Sequence, residues 1–371
     1  MRFLPWLVGL ASVAACSSSD PAAEASELDA GDTHDASPHA DGAAGHDADG
    51  ADADMPEFDP LDTPLDQWTF LPIAGATCAN GTATGVGVNR SSDTDNLVIM
   101  LEGGGACWDQ DTCFVRKSAV HIEDTYDAAL FDSDFASKQP ATKRDPNNPV
   151  SLGTQILVPY CTGDLHAGTV SRAYGSKSVH HVGGLNIDAI LARLRQGVQA
   201  PKTVWLLGSS AGGYGATLNL QKVERAFPEA QVHMLADSAP LLTPAGGLWS
   251  TWQSAWNLQL PDTCGDCTER FGGVIDAIAE DDRHGRIGLL AYQQDAVIGL
   301  FFGFDGPSEQ TKISELLTQS YGHADTRFFI ANGTSHVMLA SPGTQSAQAK
   351  TVLQDWLVGW ILGPPLWLNA P

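Results

Sequence analysis

From residue 97 onward, short apolar runs alternate with longer stretches whose apolar positions recur at helical spacing. Leu97–Leu101, Gln155–Tyr160, Thr203–Leu207, Gln231–Leu235, 287–292 and 327–331 have the length of strands. Their near-continuous apolarity is what strands buried on both faces require. Residues 185–197, 212–227, 269–279, 309–320 and 344–358 read as helices between them. Alternation of this kind predicts one α/β domain, a mostly parallel sheet with helices on both faces.

The N-terminus breaks the pattern and divides the chain into a leader at 1–16, a tether at 17–59 and a domain at 60–371. Arg2 precedes an apolar stretch, Leu4 to Ala15, too short to span a bilayer. Val13-Ala14-Ala15-Cys16 resembles the lipobox of bacterial lipoproteins. The resemblance implies that Cys16 is acylated and anchors the chain to a membrane, with an ordinary secretory leader as the alternative. Ser17 and Ser18, rather than Asp, follow it; by the same resemblance the destination is the outer membrane of a double-membraned bacterium. Thirteen acids and no Lys or Arg lie between Asp20 and Asp59. With almost no large apolar residue, such a segment cannot offset its ordering entropy by burial and stays extended. Asp47–Asp54 lacks the ligand spacing and closing Glu of a calcium loop, and His34, His39 and His46 read as part of the same solvated spacer.

Charge narrows the function further. Lys+Arg total 20 against Asp+Glu 44, a formal net charge of -24, which opposes binding to phosphate backbones, so no nucleic-acid partner is expected. Six cysteines remain after Cys16: Cys78, Cys107, Cys113, Cys161, Cys264 and Cys267. In an exported chain an even number argues for disulfides, with fifteen pairings open. Proximity along the chain suggests Cys107–Cys113 and Cys264–Cys267, leaving Cys78–Cys161. Cys264-Gly265-Asp266-Cys267 also has redox spacing, but no thioredoxin-like strand leads into it, and zinc is a weaker alternative.

The chemistry concentrates where strands end. Gly208-Ser209-Ser210-Ala211-Gly212 is a GxSxG between a predicted strand and a predicted helix, which lifts the Ser210 hydroxyl on a tight turn near a helix N-terminus. Ser209 lacks the flanking glycine symmetry. Glu102-Gly103-Gly104-Gly105 follows an earlier strand and offers backbone N–H groups where an oxyanion forms; Gly104, Gly105 and Ala211 are the expected donors. A phosphate loop would need a following GK[ST], which is absent. A serine nucleophile needs a base and an orienting acid. Asp295 follows the run at 287–292 and His336 the run at 327–331, in the chain order of an α/β-hydrolase. Asp237, after 231–235, is the rival acid. His233 falls inside a strand and His323 before one; His166, His180 and His181 read as turn residues or substrate contacts.

Leu101-Glu102-Gly103-Gly104-Gly105-Ala106-Cys107, Val158-Pro159-Tyr160-Cys161-Thr162-Gly163-Asp164, Gly208-Ser209-Ser210-Ala211-Gly212-Gly213 and Ala236-Asp237-Ser238 together resemble the pectin acetylesterase/Notum family over roughly residues 65–360. The resemblance implies an α/β-hydrolase fold, Ser210 as nucleophile, Gly104 in the oxyanion hole, Asp295 as acid and His336 as base. Where the family often has tryptophan this chain has Gly105, so the local pocket wall should differ. Members of the family remove acetyl groups from plant cell-wall pectin or a long unsaturated acyl group from a secreted signalling protein. The implied activity is therefore oxygen-ester hydrolysis without metal or cofactor, with an acylated carbohydrate or small ester as substrate. Leu241, Leu242, Trp249, Trp252, Trp256, Leu258, Val297, Ile298, Leu300, Phe301, Phe302 and Phe304 either line an acyl pocket or pack as core. A large aromatic cavity would favour long acyl chains. A serine amidase and a noncatalytic surface lipoprotein are the competing classes.

Overall fold

The computed structural model describes residues 59–138, 151–261, 263–280, 284–340, 346–347 and 350–371. The anticipated leader, Cys16 and nearly all of the acidic segment lie outside the described residues, as does part of the helix expected over 344–358. In chain order the elements are β1 (Trp68–Thr77), β2 (Ala83–Asn89), β3 (Asn96–Leu101), α1 (Ala128–Lys138), β4 (Thr154–Val158), β5 (Val170–Tyr174), β6 (Lys177–His181), α2 (Gly183–Gly197), β7 (Thr203–Ser209), α3 (Ala211–Ala226), β8 (Gln231–Asp237), α4 (Leu248–Trp256), α5 (Gly273–Ala279), β9 (His284–Tyr292), α6 (Ala296–Phe302), α7 (Gly306–Ser320), β10 (Thr326–Ala331) and α8 (Leu353–Leu362). A short π-helical turn, Asp111–Val115, precedes α1.

Eight strands form one sheet in the order β1-β2-β4-β3-β7-β8-β9-β10, and β5 and β6 form a separate hairpin. β4, β3, β7, β8, β9 and β10 run parallel, while β1 and β2 add antiparallel strands at one edge. All six apolar runs read from the sequence are these parallel strands. Their side chains alternate between two cores, as the period of two demands. Leu97, Ile99, Leu101 and Leu206 pack with Ile187, Leu191, Leu220 and Val223 of α2 and α3. Val98, Met100, Trp205 and Leu207 pack on the other face with Trp356, Leu357 and Trp360 of α8. The result is a largely parallel sheet flanked by helices, an α/β-hydrolase architecture. Because the six strands are parallel, their carboxyl ends share one edge, where ligands of open α/β sheets bind.

The sequence pattern misses β1, β2, the β5–β6 hairpin, α1, α4 and α6. In β2 the glycines Gly85 and Gly87 remove alternate side chains; the Phe131 ring lies where a Gly87 side chain would start. β1 carries Pro72 and an irregular register between Pro72 and Thr77. α8 begins at Leu353, later than expected, with its N-cap at Val352. Among the described residues no helix is long and apolar enough to cross a membrane.

The disulfides are Cys78–Cys161, Cys107–Cys113 and Cys264–Cys267. Cys78–Cys161 closes a sequence separation of 83 residues, which chain-entropy reasoning equates with about 4.5 kcal/mol. Cys264–Cys267 spans 3 and contributes less than half as much by the same reasoning. Replacing Cys78 and Cys161 together with Ser should therefore lower the denaturant midpoint far more than the same change at Cys264 and Cys267. Equal midpoints for the two double variants would contradict this ranking.

Candidate active site

Ser210 sits between β7 and α3 with φ 56° and ψ -125°, a left-handed region that costs a non-glycine residue roughly 1–3 kcal/mol. Its neighbours hold it there. The Ser210 N–H donates to the Asp237 carbonyl at 2.8 Å, and the Ser210 carbonyl accepts the Gly213 N–H at 2.9 Å. The flanking glycines are fixed by contact: a side-chain carbon at Gly208 would lie 2.0 Å from the Gly212 oxygen, and one at Gly212 would lie 2.0 Å from the Leu101 oxygen. Strand β3, strand β7 and the start of α3 thus meet backbone to backbone, which explains the small residues on both sides of Ser210.

Beside this elbow runs the glycine loop after β3. A side-chain carbon at Gly103 would come within 2.5 Å of the Ser209 oxygen, so the loop lies directly against the elbow. Gly105 adopts φ 77°, and a side chain there would strike the Ser118 oxygen at 2.0 Å. The tip of the Phe301 ring lies 3.3 Å from where such a side chain would begin. The loop is tied outward, with the Gly104 carbonyl accepting Val120 N–H at 2.9 Å and Ala106 N–H donating to the Ser118 carbonyl at 3.1 Å. The N–H groups of Gly104 and Gly105 are not used in these ties. Glu102 is turned away: Tyr126 O–H donates to its Oε2 at 3.2 Å, and His166 Nε2 bonds its carbonyl oxygen at 2.8 Å.

Asp295 and His336 meet. His336 Nδ1–H donates to Asp295 Oδ2 at 2.7 Å, with the aspartate side chain 2% and the histidine 19% exposed. Asp295 caps α6, its Oδ1 accepting the N–H groups of Val297 at 3.0 Å and Ile298 at 3.2 Å. The paired register of β9 and β10 carries into their loops, where Gln293 N–H donates to Ala331 O and Ala296 N–H to Thr334 O. That pairing delivers the acid and the histidine to one another.

Asp237 has a different task. Its buried carboxylate accepts the Met338 N–H with both oxygens at 3.0 Å and the Leu339 N–H at 3.0 Å, together with the Ser209 hydroxyl at 2.9 Å. Val337, between His336 and these residues, takes φ 59°, an outlier for a β-branched side chain, and its N–H donates to Ser238 Oγ at 2.9 Å. Asp237 and Ser238 therefore clamp the histidine loop to the end of β8, next to the Ser210 elbow. No described hydrogen bond joins Ser210 Oγ to His336; the elbow and the histidine loop are linked through Asp237, whose carbonyl accepts the Ser210 N–H and whose carboxylate accepts the Met338 and Leu339 N–H groups.

Four other described histidines make contacts of their own. His233 lies in β8, where burial first and then Arg286 depress its pKa to about 3, and its Nδ1 accepts the Arg286 N–H at 2.8 Å. His166 and His181 are buried, their basicity lowered chiefly by desolvation. His180 bonds Ser171 Oγ at 2.7 Å. Among the described residues two groups have metal-ligand chemistry within reach, Cys107–Cys113–His181 and Cys264–Asp266–Cys267, but their sulfurs are spent in disulfides.

Trp249, Trp252 and Trp256 are core residues of α4. Only Trp252 reaches the elbow. With Gly105, Leu165, Tyr214, Val297, Phe301 and Phe302 it walls a small apolar cavity beside Ser210 and Ala211, of about 20 Å³. The sequence offered Leu165 and Tyr214 no signal as walls; Leu165 is turned there by positive φ at both Leu165 and His166.

Residues 66–243 match a family model described as Pectinacetylesterase. Palmitoleoyl-protein carboxylesterase notum2 of Xenopus laevis is 29% identical over 180 residues, 46% of this chain and 35% of that protein. Palmitoleoyl-protein carboxylesterase NOTUM of Homo sapiens is 28% identical over 180 residues, with the same two shares. Pectin acetylesterase 11 of Arabidopsis thaliana is 26% identical over 178 residues, 46% of this chain and 44% of its own length. The chain thus spans between a third and a half of the length of these relatives. The family match includes Gly104, Ser210 and Asp237 but ends before Asp295 and His336, short of the 65–360 over which the motifs suggested likeness. Over residues 66–243 the chain is thus similar to the pectin acetylesterase family, on an α/β-hydrolase fold.

Proposed function

We propose that this protein is a serine carboxylesterase that removes short acyl groups, acetyl above all, from carbohydrate or small-alcohol esters through an acyl-enzyme on Ser210. The observation that carries the reading is the buried Asp295–His336 hydrogen bond at the sheet edge that also presents the Ser210 elbow. In the neutral tautomer that donates Nδ1–H to Asp295, His336 keeps its Nε2 lone pair for the Ser210 proton. Ser210 attacks the ester carbonyl; Gly104, Gly105 and Ala211 N–H groups receive the oxyanion; the imidazolium returns the proton to the departing alcohol. Water then repeats the sequence on the acyl-enzyme and releases the acid. These steps call on no metal or cofactor.

Cavity size favours the acyl group. The cavity beside Ser210, about 20 Å³, is small and walled by apolar and aromatic side chains, which supports a short acyl group over a long one. The names of the Notum relatives favour a second reading, a long acyl chain, and the filled wall of Trp252, Phe301 and Phe302 speaks against it. With p-nitrophenyl esters from acetyl to palmitoyl, kcat/KM should peak at acetyl or propionyl. Phe301→Ala should shift the peak toward butanoyl or longer by roughly 10–100-fold in relative kcat/KM, the range of one or two methylenes in an apolar pocket. A wild-type maximum at octanoyl or beyond would overturn the short-acyl assignment.

The reading includes export. Three disulfides fit an oxidising compartment, and the leader with Cys16 supplies a lipid anchor in the outer membrane, the acidic segment acting as spacer. Peptide mass spectrometry of the membrane-isolated protein should find Cys16 acylated at the mature N-terminus. An unmodified N-terminus beyond Cys16 would refute the anchor.

A further inference from the structure

Behind Asp295 lies a second carboxyl group that the mechanism does not use. Glu309, in the first turn of α7, is 1% exposed, and its Oε1 has no hydrogen-bond partner. The carboxyl accepts the Asp295 backbone N–H. Its Oε2 lies against α6 at Gly299, where a side-chain carbon would come within 3.1 Å. The head of α6, which carries Asp295, therefore rests on Glu309.

Two carboxylates so placed cannot both stay ionised cheaply away from water. Asp295 has His336 and the N–H groups of Val297 and Ile298 to hold its charge. Glu309 has one backbone N–H, so the proton belongs on Glu309. We propose that Glu309 is a positioning residue acting through Asp295: protonated, it seats the head of α6 and leaves a single charge to orient His336, and its deprotonation sets the alkaline limit of the reaction. This rests on the esterase reading above.

Burial first and the Asp295 charge second push the Glu309 carboxyl up to about 8. The other groups around the pair are Tyr214 of α3, whose hydroxyl is held neutral by burial first and then by Asp295 and Glu309, Tyr321 beyond the end of α7, which acts on Tyr214, Tyr292 of β9, whose hydroxyl is held up by burial first and then by Asp237 and Asp295, and His336, bonded to Asp295 Oδ2. No lysine or arginine contributes to the shift. Since the folded value exceeds the ordinary 4.5, the folded state binds the extra proton. Stability contributed by that proton is full below about pH 4.5 and is lost as pH rises toward 8.

The test compares the full-length wild type with Glu309→Gln, a neutral isostere, between pH 5 and 10. Wild-type kcat/KM for p-nitrophenyl acetate should fall about tenfold per pH unit above 8, whereas Glu309→Gln should match wild type at pH 7 and stay flat to pH 9.5. The Tm of Glu309→Gln minus that of wild type should grow between pH 5 and 8. An unchanged alkaline limb in the variant, or a Tm difference independent of pH, overturns the proposal. Should no ester be turned over at all, the esterase reading fails, and the Tm difference still reports where the proton sits. If the variant does not fold, carbon-13 carboxyl NMR of the wild type replaces it: one glutamate titrating near pH 8 supports the proposal, and all glutamates titrating below about 6 refutes it.

Discussion

Asp295→Asn is expected to lower kcat about 10⁴-fold without unfolding the protein, the size of loss that the same change causes in serine-protease triads. The asparagine oxygen can still accept the Val297 and Ile298 N–H groups that Asp295 Oδ1 accepts now, so α6 keeps its cap. What changes is the group facing His336 Nδ1, 2.7 Å away: an amide N–H there forces the wrong tautomer and leaves no negative charge to balance an imidazolium. Asp237→Asn should behave in the opposite way. That carboxylate is fully buried; Leu339 N–H reaches Oδ2 and Met338 N–H reaches both oxygens, so an asparagine oxygen in the Oδ2 place keeps both acceptances but sets its own amide N–H group against the Met338 N–H at the Oδ1 place. Leaving one buried donor unpaired costs about 1–3 kcal/mol, read as a lower Tm, with kcat reduced only as far as the histidine loop loosens. Measuring kcat and Tm on both variants separates the roles. A large kcat loss with unchanged Tm in Asp237→Asn, and little loss in Asp295→Asn, would exchange them.

Ser210→Ala is expected to reduce ester turnover by roughly 10⁴–10⁶-fold, since removal of the nucleophile leaves only binding and the oxyanion donors. The substitution keeps a side-chain carbon at the same strained backbone position, φ 56°, so stability should change little. Reaction with a fluorophosphonate should vanish in parallel. Activity of wild-type size in the purified variant would remove Ser210 from the mechanism, and peptide turnover without ester turnover in the wild type would point to an amidase.

Much of this arrangement is legible in the chain because parallel strands buried on both faces leave unbroken apolar runs. Those runs placed β3, β4, β7, β8, β9 and β10, and hence the loops carrying Gly104, Ser210, Asp237, Asp295 and His336. The edge strands were hidden because β2 replaces alternate side chains with glycine and β1 contains Pro72. Choosing between Asp295 and Asp237 was beyond one-dimensional reading, since both follow a strand of the same sheet. The difference lies in donors that come from residues 41 to 102 positions away: the His336 ring for Asp295, and the Met338 and Leu339 backbone for Asp237. Cavity size was equally out of reach. Trp249, Trp252 and Trp256 look alike along α4, yet only Trp252 turns toward Ser210, and the positive φ that aims Leu165 has no glycine to announce it. Glu309 sits in a helix of ordinary polar composition, and only folding places it behind the acid.

The most direct measurement is to mix the full-length protein with p-nitrophenyl acetate, quench within the first turnover, and map the acetyl group by peptide mass spectrometry. The mechanism predicts one acetyl on Ser210, accumulating in step with a burst of p-nitrophenol and absent from Ser210→Ala. Turnover with no acetyl on Ser210, or with the label on another residue, would contradict it.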